Sequence, residues 1–265
     1  MNPFIRACLP SLAAAVLCMM AAFSPALAVA QSASAQPPAR VTSALPGLKA
    51  PNMGHQLFAH VLLDQFEART NGPDNEFRWD GEGWIGTDMN KLWIKSEGFV
   101  NNGIVSDGDQ EFLYDRPIPH MRYFDAQVGV RADLDSGPSR TWAAIGIEGL
   151  APYFFEIAPT LYIGKDGEVA GRIEAFYELR FTQRLIAEPQ AELNFYSKAN
   201  PARGNGSGLS EVDSGLRLRY EINRKFAPYI GFAYNGRYGE AAAFARRDGE
   251  AANQPRLALG IRIWY

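Results

Sequence analysis

Arg256-Leu257-Ala258-Leu259-Gly260-Ile261-Arg262-Ile263-Trp264-Tyr265 closes the chain as an alternating strand that stops on an aromatic residue. In extended backbone successive side chains point to opposite faces. Leu257, Leu259, Ile261, Ile263 and Tyr265 therefore share one surface, and Arg256, Ala258, Gly260, Arg262 and Trp264 share the other. One surface suits hydrocarbon and the other suits water.

The same two-residue period recurs upstream. Ile173, Ala175, Tyr177, Leu179 and Phe181 alternate with Arg172, Glu174, Phe176, Glu178 and Arg180. Leu216, Leu218 and Tyr220 alternate with Arg217, Arg219 and Glu221, and Phe124, Ala126, Val128 and Val130 with Asp125, Gln127, Gly129 and Arg131. From about His55 the chain divides into segments of roughly 10 to 15 residues bounded by turn residues, as membrane strands do. Twelve strands are expected, at 56–68, 75–87, 90–101, 108–115, 120–133, 140–150, 153–163, 168–182, 185–197, 209–222, 226–238 and 255–265. Short connections around Asp88, 116–119, 151–152, 183–184 and 223–225 alternate with longer or Gly-rich ones at 69–74, 102–107, 134–139, 164–167, 198–208 and 239–254. That alternation is the mark of an all-β, transmembrane, antiparallel up-and-down β-barrel, with short turns at one end and loops at the other. A soluble sandwich or barrel alternates too, but turns its apolar rows inward. Pro159, Pro189 and Pro228 fall inside expected strands, where a closed sheet tolerates proline only at bulges or strand ends.

Near the N-terminus Arg6 precedes an apolar, Ala-rich run from Leu9 to Ala22, then Pro25 and the small-residue sites Ala26-Leu27-Ala28 and Ala28-Val29-Ala30. This is the pattern of a secretory signal peptide over 1–30, cleaved after Ala28 or Ala30. Leu17 before Cys18 disfavours lipid attachment at that cysteine. Both cysteines, Cys8 and Cys18, lie in this segment, so the exported chain has no thiol for a disulfide or a metal. Residues 31–54 are rich in Ala, Pro, Ser and Gln and bury too little apolar surface to fold alone, so they are expected to form a disordered periplasmic tail ahead of a barrel spanning 55–265. Beyond residue 30 no apolar run approaches the roughly 20 residues of a membrane helix. With a net charge of -3 and no basic cluster beyond pairs such as Arg246-Arg247, a nucleic-acid partner is excluded.

Longer motifs point to a family. Gly137-Pro138-Ser139-Arg140-Thr141-Trp142-Ala143-Ala144-Ile145-Gly146 runs on to Gly149-Leu150-Ala151-Pro152-Tyr153. Thr182-Gln183-Arg184-Leu185-Ile186, Ala191-Glu192-Leu193-Asn194 and Gly206-Ser207-Gly208-Leu209-Ser210 follow, then Gly215 to Ile222 and Phe226-Ala227-Pro228-Tyr229. In this order they resemble the copper resistance protein B family over nearly all of the chain after residue 54. The final strand likewise resembles the closing strand of outer-membrane barrels, whose last aromatic is read by the assembly machinery. The resemblance implies an outer-membrane barrel, in contact with membrane lipid, that acts in copper tolerance beside periplasmic copper-handling proteins. Members often carry a Met- and His-rich segment before the barrel, of which only Met53-Gly54-His55 and the nearby His60 remain here.

Copper(I) prefers thioether and imidazole, and copper(II) accepts imidazole and carboxylate. The candidate copper ligands are therefore Met53, His55, His60, His120 and Met121, with Met89 a weaker case. Each also has an ordinary reading, as a packing methionine or a polar histidine at a turn or in the lumen. His60 and Asp64 are expected to share the inward face of the first strand. Inward charges of both signs, among them Arg78, Glu97, Arg172, Glu192 and Arg262, leave two readings of the lumen open: a salt-bridged plug, or a polar path that favours a cation. An enzyme has little support, since the three histidines all precede residue 121 and no Gly-x-Ser-x-Gly segment occurs. A generic small-solute porin or structural barrel without metal specificity is the alternative.

Overall fold

The computed structural model describes residues 56–70, 75–101, 103–134 and 139–265. The expected signal peptide and tail, with Met53 and His55, lie outside them. Thirteen strands form one antiparallel sheet: β1 (Phe58–Thr70), β2 (Asn75–Thr87), β3 (Asn90–Asn101), β4 (Ile104–Pro117), β5 (Phe124–Asp133), β6 (Arg140–Ala151), β7 (Phe155–Gly164), β8 (Val169–Phe176), β9 (Leu179–Arg180), β10 (Leu185–Tyr196), β11 (Gly208–Tyr220), β12 (Phe226–Arg237) and β13 (Asn253–Trp264). β8 and β9 are two pieces of one wall element, both paired with β10, so the wall has twelve members. Each pairs with its sequence neighbour, and β1 pairs with β13 to close the ring. No helix among the described residues is long and apolar enough to cross a membrane.

Side-chain direction separates a membrane barrel from a soluble one. Leu257 and Leu259 are each 58% exposed on the outer surface, whereas Ala258 between them is fully buried. Val128, Val130, Ile145, Leu216 and Phe232 are exposed in the same way, while Glu67, Arg69, Arg78, Asp109, Arg217 and Arg256 are buried inside. Apolar rows face out and ionic rows face in, the reverse of a soluble core.

The chain ends of the barrel share one rim with the connections 88–89, 118–123, 152–154, 181–184 and 221–225, here termed the turn end. The opposite loop end carries Gly103, Leu134, Ser139, 165–168, 197–207 and 238–252 among the described residues. β4 begins four residues before its expected start, so the third and fourth strands are joined by 102–103 alone, with Gly103 at φ +79°. Only glycine takes that left-handed conformation without strain. The last loop contains a helix the sequence reading did not anticipate, α1 (Gly239–Arg247). It packs on β11 and β12 through Ala241, Ala242 and Ala245 and receives the Ser207 hydroxyl on Glu240 at 2.7 Å.

The three prolines sit where the ladder is already incomplete. In a strand a residue's N–H and C=O face the same neighbour. The Pro189 carbonyl accepts from Tyr177 N on the β8/β9 side, so its missing N–H falls there too, in the gap between β8 and β9. Pro159 lies in a break of the β6–β7 pairing between Gly146↔Thr160 and Gly149↔Ile157. Pro228 pairs with Ile261 on β13, while the β11–β12 ladder ends one residue beyond it at Tyr229.

At the closing seam Gly260 is squeezed between neighbours. A Cβ there would stand 2.5 Å from the Tyr229 hydroxyl and 2.7 Å from Glu67 Cβ. Gly260→Leu is expected to cost about 1–3 kcal/mol of stability through overpacking, read as a lower urea midpoint of the refolded barrel in vesicles. Tyr229→Ala in the same chain should recover part of that loss.

Candidate functional site

The lumen is built from the wall inward. In β1 the pairing shifts on both sides between Leu63 and Phe66, so a bulge lets Asp64 and Gln65 both serve the interior. Below the bulge, toward the turn end, His60 and Asp64 keep the inward phase expected of them. His60 pairs with Trp84, their rings 6.2 Å apart, and Asp64 meets Arg262 at 2.8 Å. Above it the phase is reversed, and Glu67 and Arg69 turn inward. Strict alternation from His60 would have sent both to lipid.

The loop half of the lumen is a plug of ion pairs. Glu67 accepts from Arg69 at 2.7 Å and from Arg217 at 2.8 and 2.9 Å, and Arg69 holds both oxygens of Asp213 at 2.6 and 3.2 Å. Phe99 lies between two guanidiniums, Arg69 at 5.1 Å and Arg78 at 4.8 Å from its centroid. Across the lumen Asp109 takes Arg172 at 2.7 Å and Arg131 at 2.9 Å, and the Tyr162 hydroxyl donates to Glu111. The carboxylates at the centre of this plug, Glu67 and Asp109, are 0% and 2% exposed.

The turn half is different. A cavity of about 440 Å³ extends from the plug to the turn end, where the exposed Glu156, second residue of β7, stands on its rim. Eleven of the side chains lining it are Asp or Glu and four are Lys or Arg. Lys95 bonds Glu148 at 2.8 Å and stands 4.0 Å from Glu82, and Arg262 bridges Asp64 and Glu188. Three of the lining carboxylates stay wet, the side chains of Glu82, Glu148 and Glu174 keeping 25%, 32% and 35% exposure. Such a walled excess of negative charge concentrates cations, more strongly at low salt. Plug and polar path therefore coexist, one above the other.

The soft donors gather at the turn end without converging. His120 and Met121 are exposed in the turn after β4, His120 at φ 72°, and Met89 is exposed in the turn after β2. His60 lies on the lumen wall near the same rim, and the chain enters β1 there a few residues after Met53 and His55. Among the described residues no three His, Cys, Asp or Glu side chains are placed to hold one metal ion. The sequence reading missed Glu67, Arg69, Asp109 and Asp213 as interior charges. The visible signal was the apolar Phe66 and Ala68 flanking Glu67, which shows that the alternation has changed phase.

A closed antiparallel sheet with a hydrocarbon-facing exterior and an ion-paired interior defines an outer-membrane β-barrel. Residues 57–265 match the family described as "Copper resistance protein B precursor (CopB)". The chain belongs to the copper resistance protein B family. It is 40% identical over 217 residues to a copper resistance protein B homolog of Pseudomonas syringae pv. tomato, covering 80% of this chain and 73% of that one. It is 42% identical over 205 residues to copper resistance protein B of Escherichia coli, covering 77% and 69%. Among solved structures the NanC porin overlays with a TM-score of 0.49 at 12% identity, covering 78% of this chain and 99% of that one. The KdgM porin gives 0.43 at 10%, covering 78% and 98%.

The plug and the rim make opposite demands on their charges. Glu67→Ala takes the carboxylate partner from the buried Arg217, Arg69 keeping Asp213, and is expected to cost about 3–5 kcal/mol. Glu250→Ala removes the exposed partner of Arg237, a pair at 2.6 Å, and is expected to cost less than about 1 kcal/mol. Urea unfolding of both variants in vesicles checks the contrast.

Proposed function

We propose that this barrel serves copper tolerance by drawing copper ions from the periplasm into its turn-end vestibule, binding them there and aiding their export across the outer membrane. The carrying observation is the cavity's excess of carboxylates, reaching the end where His60, Met89, His120 and Met121 are found. Carboxylate and imidazole suit copper(II), and thioether and imidazole suit copper(I). Met53, His55, His60, His120 and Met121 act as early ligands, of which His60, His120 and Met121 stand at the rim, and the acidic wall holds the ion less specifically beyond them. On this reading the turn end faces the periplasm, so the N-terminal tail and the rim meet periplasmic copper-handling proteins there. The role is non-enzymatic: copper is cargo, and no bond of a substrate is made or broken.

The rival reading, a general solute porin, is disfavoured by the filled loop half, because a porin needs a wet path through its whole height.

Copper bound per refolded chain, measured by elemental analysis after equilibrium dialysis, tests the proposal. Replacing Met53, His55 and His60 by Ala is expected to weaken binding about tenfold or more, equivalent to roughly 1.4 kcal/mol. His120→Ala with Met121→Ala is expected to have a smaller effect. Unchanged binding would remove those residues from the site, and a deletion strain with normal copper tolerance would return the protein to the generic-barrel reading.

A further inference from the structure

Four charged side chains stand on the boundary between two internal spaces. Arg78, Glu97, Arg172 and Glu192 line both the 440 Å³ vestibule and a separate pocket of about 20 Å³ bounded also by Phe99, Arg131 and Asp213. They alternate in sign around a closed circuit. Arg78 is 3.5 Å from Glu97 and 3.2 Å from Glu192, and Arg172 is 3.4 Å from Glu192 and donates to Glu97. Each charge has an opposite neighbour on either side, and the circuit is neutral.

Its place in the wall gives it consequence. Arg78 and Glu97 come from β2 and β3, and Arg172 and Glu192 from β8 and β10. Around the ring β4 to β7 separate these pairs on one side, and β11, β12, β13 and β1 separate them on the other. The circuit thus spans a diameter and divides the lumen into two half-sections. One is occupied by Glu67, Arg69, Arg217 and Asp213, the other by Asp109, Arg131, Tyr162 and Glu111. At this level mutually paired side chains cross the lumen with space for only about 20 Å³ beside them, and an ion passing there would exchange its hydration for groups already satisfied by one another.

We propose that the Arg78–Glu97–Arg172–Glu192 circuit is a septum that shuts the lumen to ions and small solutes at rest, so that passage requires the circuit to part. Each arginine already holds a carboxylate outside the circuit, Asp213 at 3.2 Å for Arg78 and Asp109 at 2.7 Å for Arg172. Parting therefore leaves each guanidinium beside a carboxylate, while Glu97, paired within the circuit alone among the described residues, exchanges its partners for water of the vestibule it lines. The vestibule is a one-sided chamber, and the septum is the step between holding an ion and releasing it at the loop end.

Conductance of the full exported chain in planar bilayers, in potassium chloride without copper, tests this. Wild type should conduct little. The fourfold variant Arg78→Ala, Glu97→Ala, Arg172→Ala and Glu192→Ala, which removes two charges of each sign, should conduct about tenfold more or better. Arg237→Ala with Glu250→Ala, at the loop rim, should match wild type. Heat-modifiable migration in detergent gels reports folding. Should the fourfold variant not fold, Glu97→Ala with Arg172→Ala is expected to give an intermediate rise. A wild type that already conducts at the variant level, or a folded variant no leakier than wild type, overturns the septum. Copper plays no part in this readout, so its outcome and that of the copper-binding measurement fail independently.

Discussion

The antiparallel seam between β1 and β13 is the constraint on which the rest of the molecule depends. Val61 N donates to Tyr265 O at 3.0 Å and Tyr265 N to Val61 O at 2.8 Å, and the pairing runs up to Thr70 opposite Leu257. In hydrocarbon no water is available to an unpaired strand edge, so a sheet that failed to meet itself could not remain there. The last residue of the chain takes part in that closure. The strand whose alternation first identified the barrel is also the one that completes it.

Much of this architecture was legible because strand alternation is a local property. The expected limits of β2 and β3 agree with those observed, and β6, β7, β10, β11 and β12 differ from expectation by two residues or fewer at either end. What escaped notice was phase and partnership. The bulge at Asp64 and Gln65 reverses the direction of every later residue in β1, and periodicity counted from His60 does not register it. The helix Gly239–Arg247 was hidden by its setting in a long loop, although four alanines with Glu240, Arg246 and Arg247 are good helix formers. Cross-lumen partners were beyond reach for a different reason. Arg69 and Asp213 are 144 positions apart, and only the closed ring brings them together. The candidate copper ligands were legible as residue types, but the common location of His60, His120 and Met121 at one rim depends on the topology.

Arginines serve both halves of the lumen, and the vestibule adds a lysine. The plug relies on arginine, whose planar fork can hold two oxygens at once, as Arg69 does with Asp213. The vestibule has Lys95, a compact and more strongly hydrated charge that stands 5.4 Å from the Trp93 ring centroid and bonds Glu148. Rigid pairing suits a barrier, and a wet, incompletely matched wall suits a chamber that exchanges ions.

The prolines carry a mechanical consequence. Pro159 and Pro189 leave rungs missing between β6 and β7 and between the β8/β9 element and β10, two joints separated by only one other. Bending stiffness in a cylinder of strands comes from its cross-links, so this sector of the wall is expected to yield more readily than an unbroken ladder would. Glu148, Ala158 and Phe176 place the same sector against the vestibule. Swelling or contraction of the chamber would be absorbed in part there.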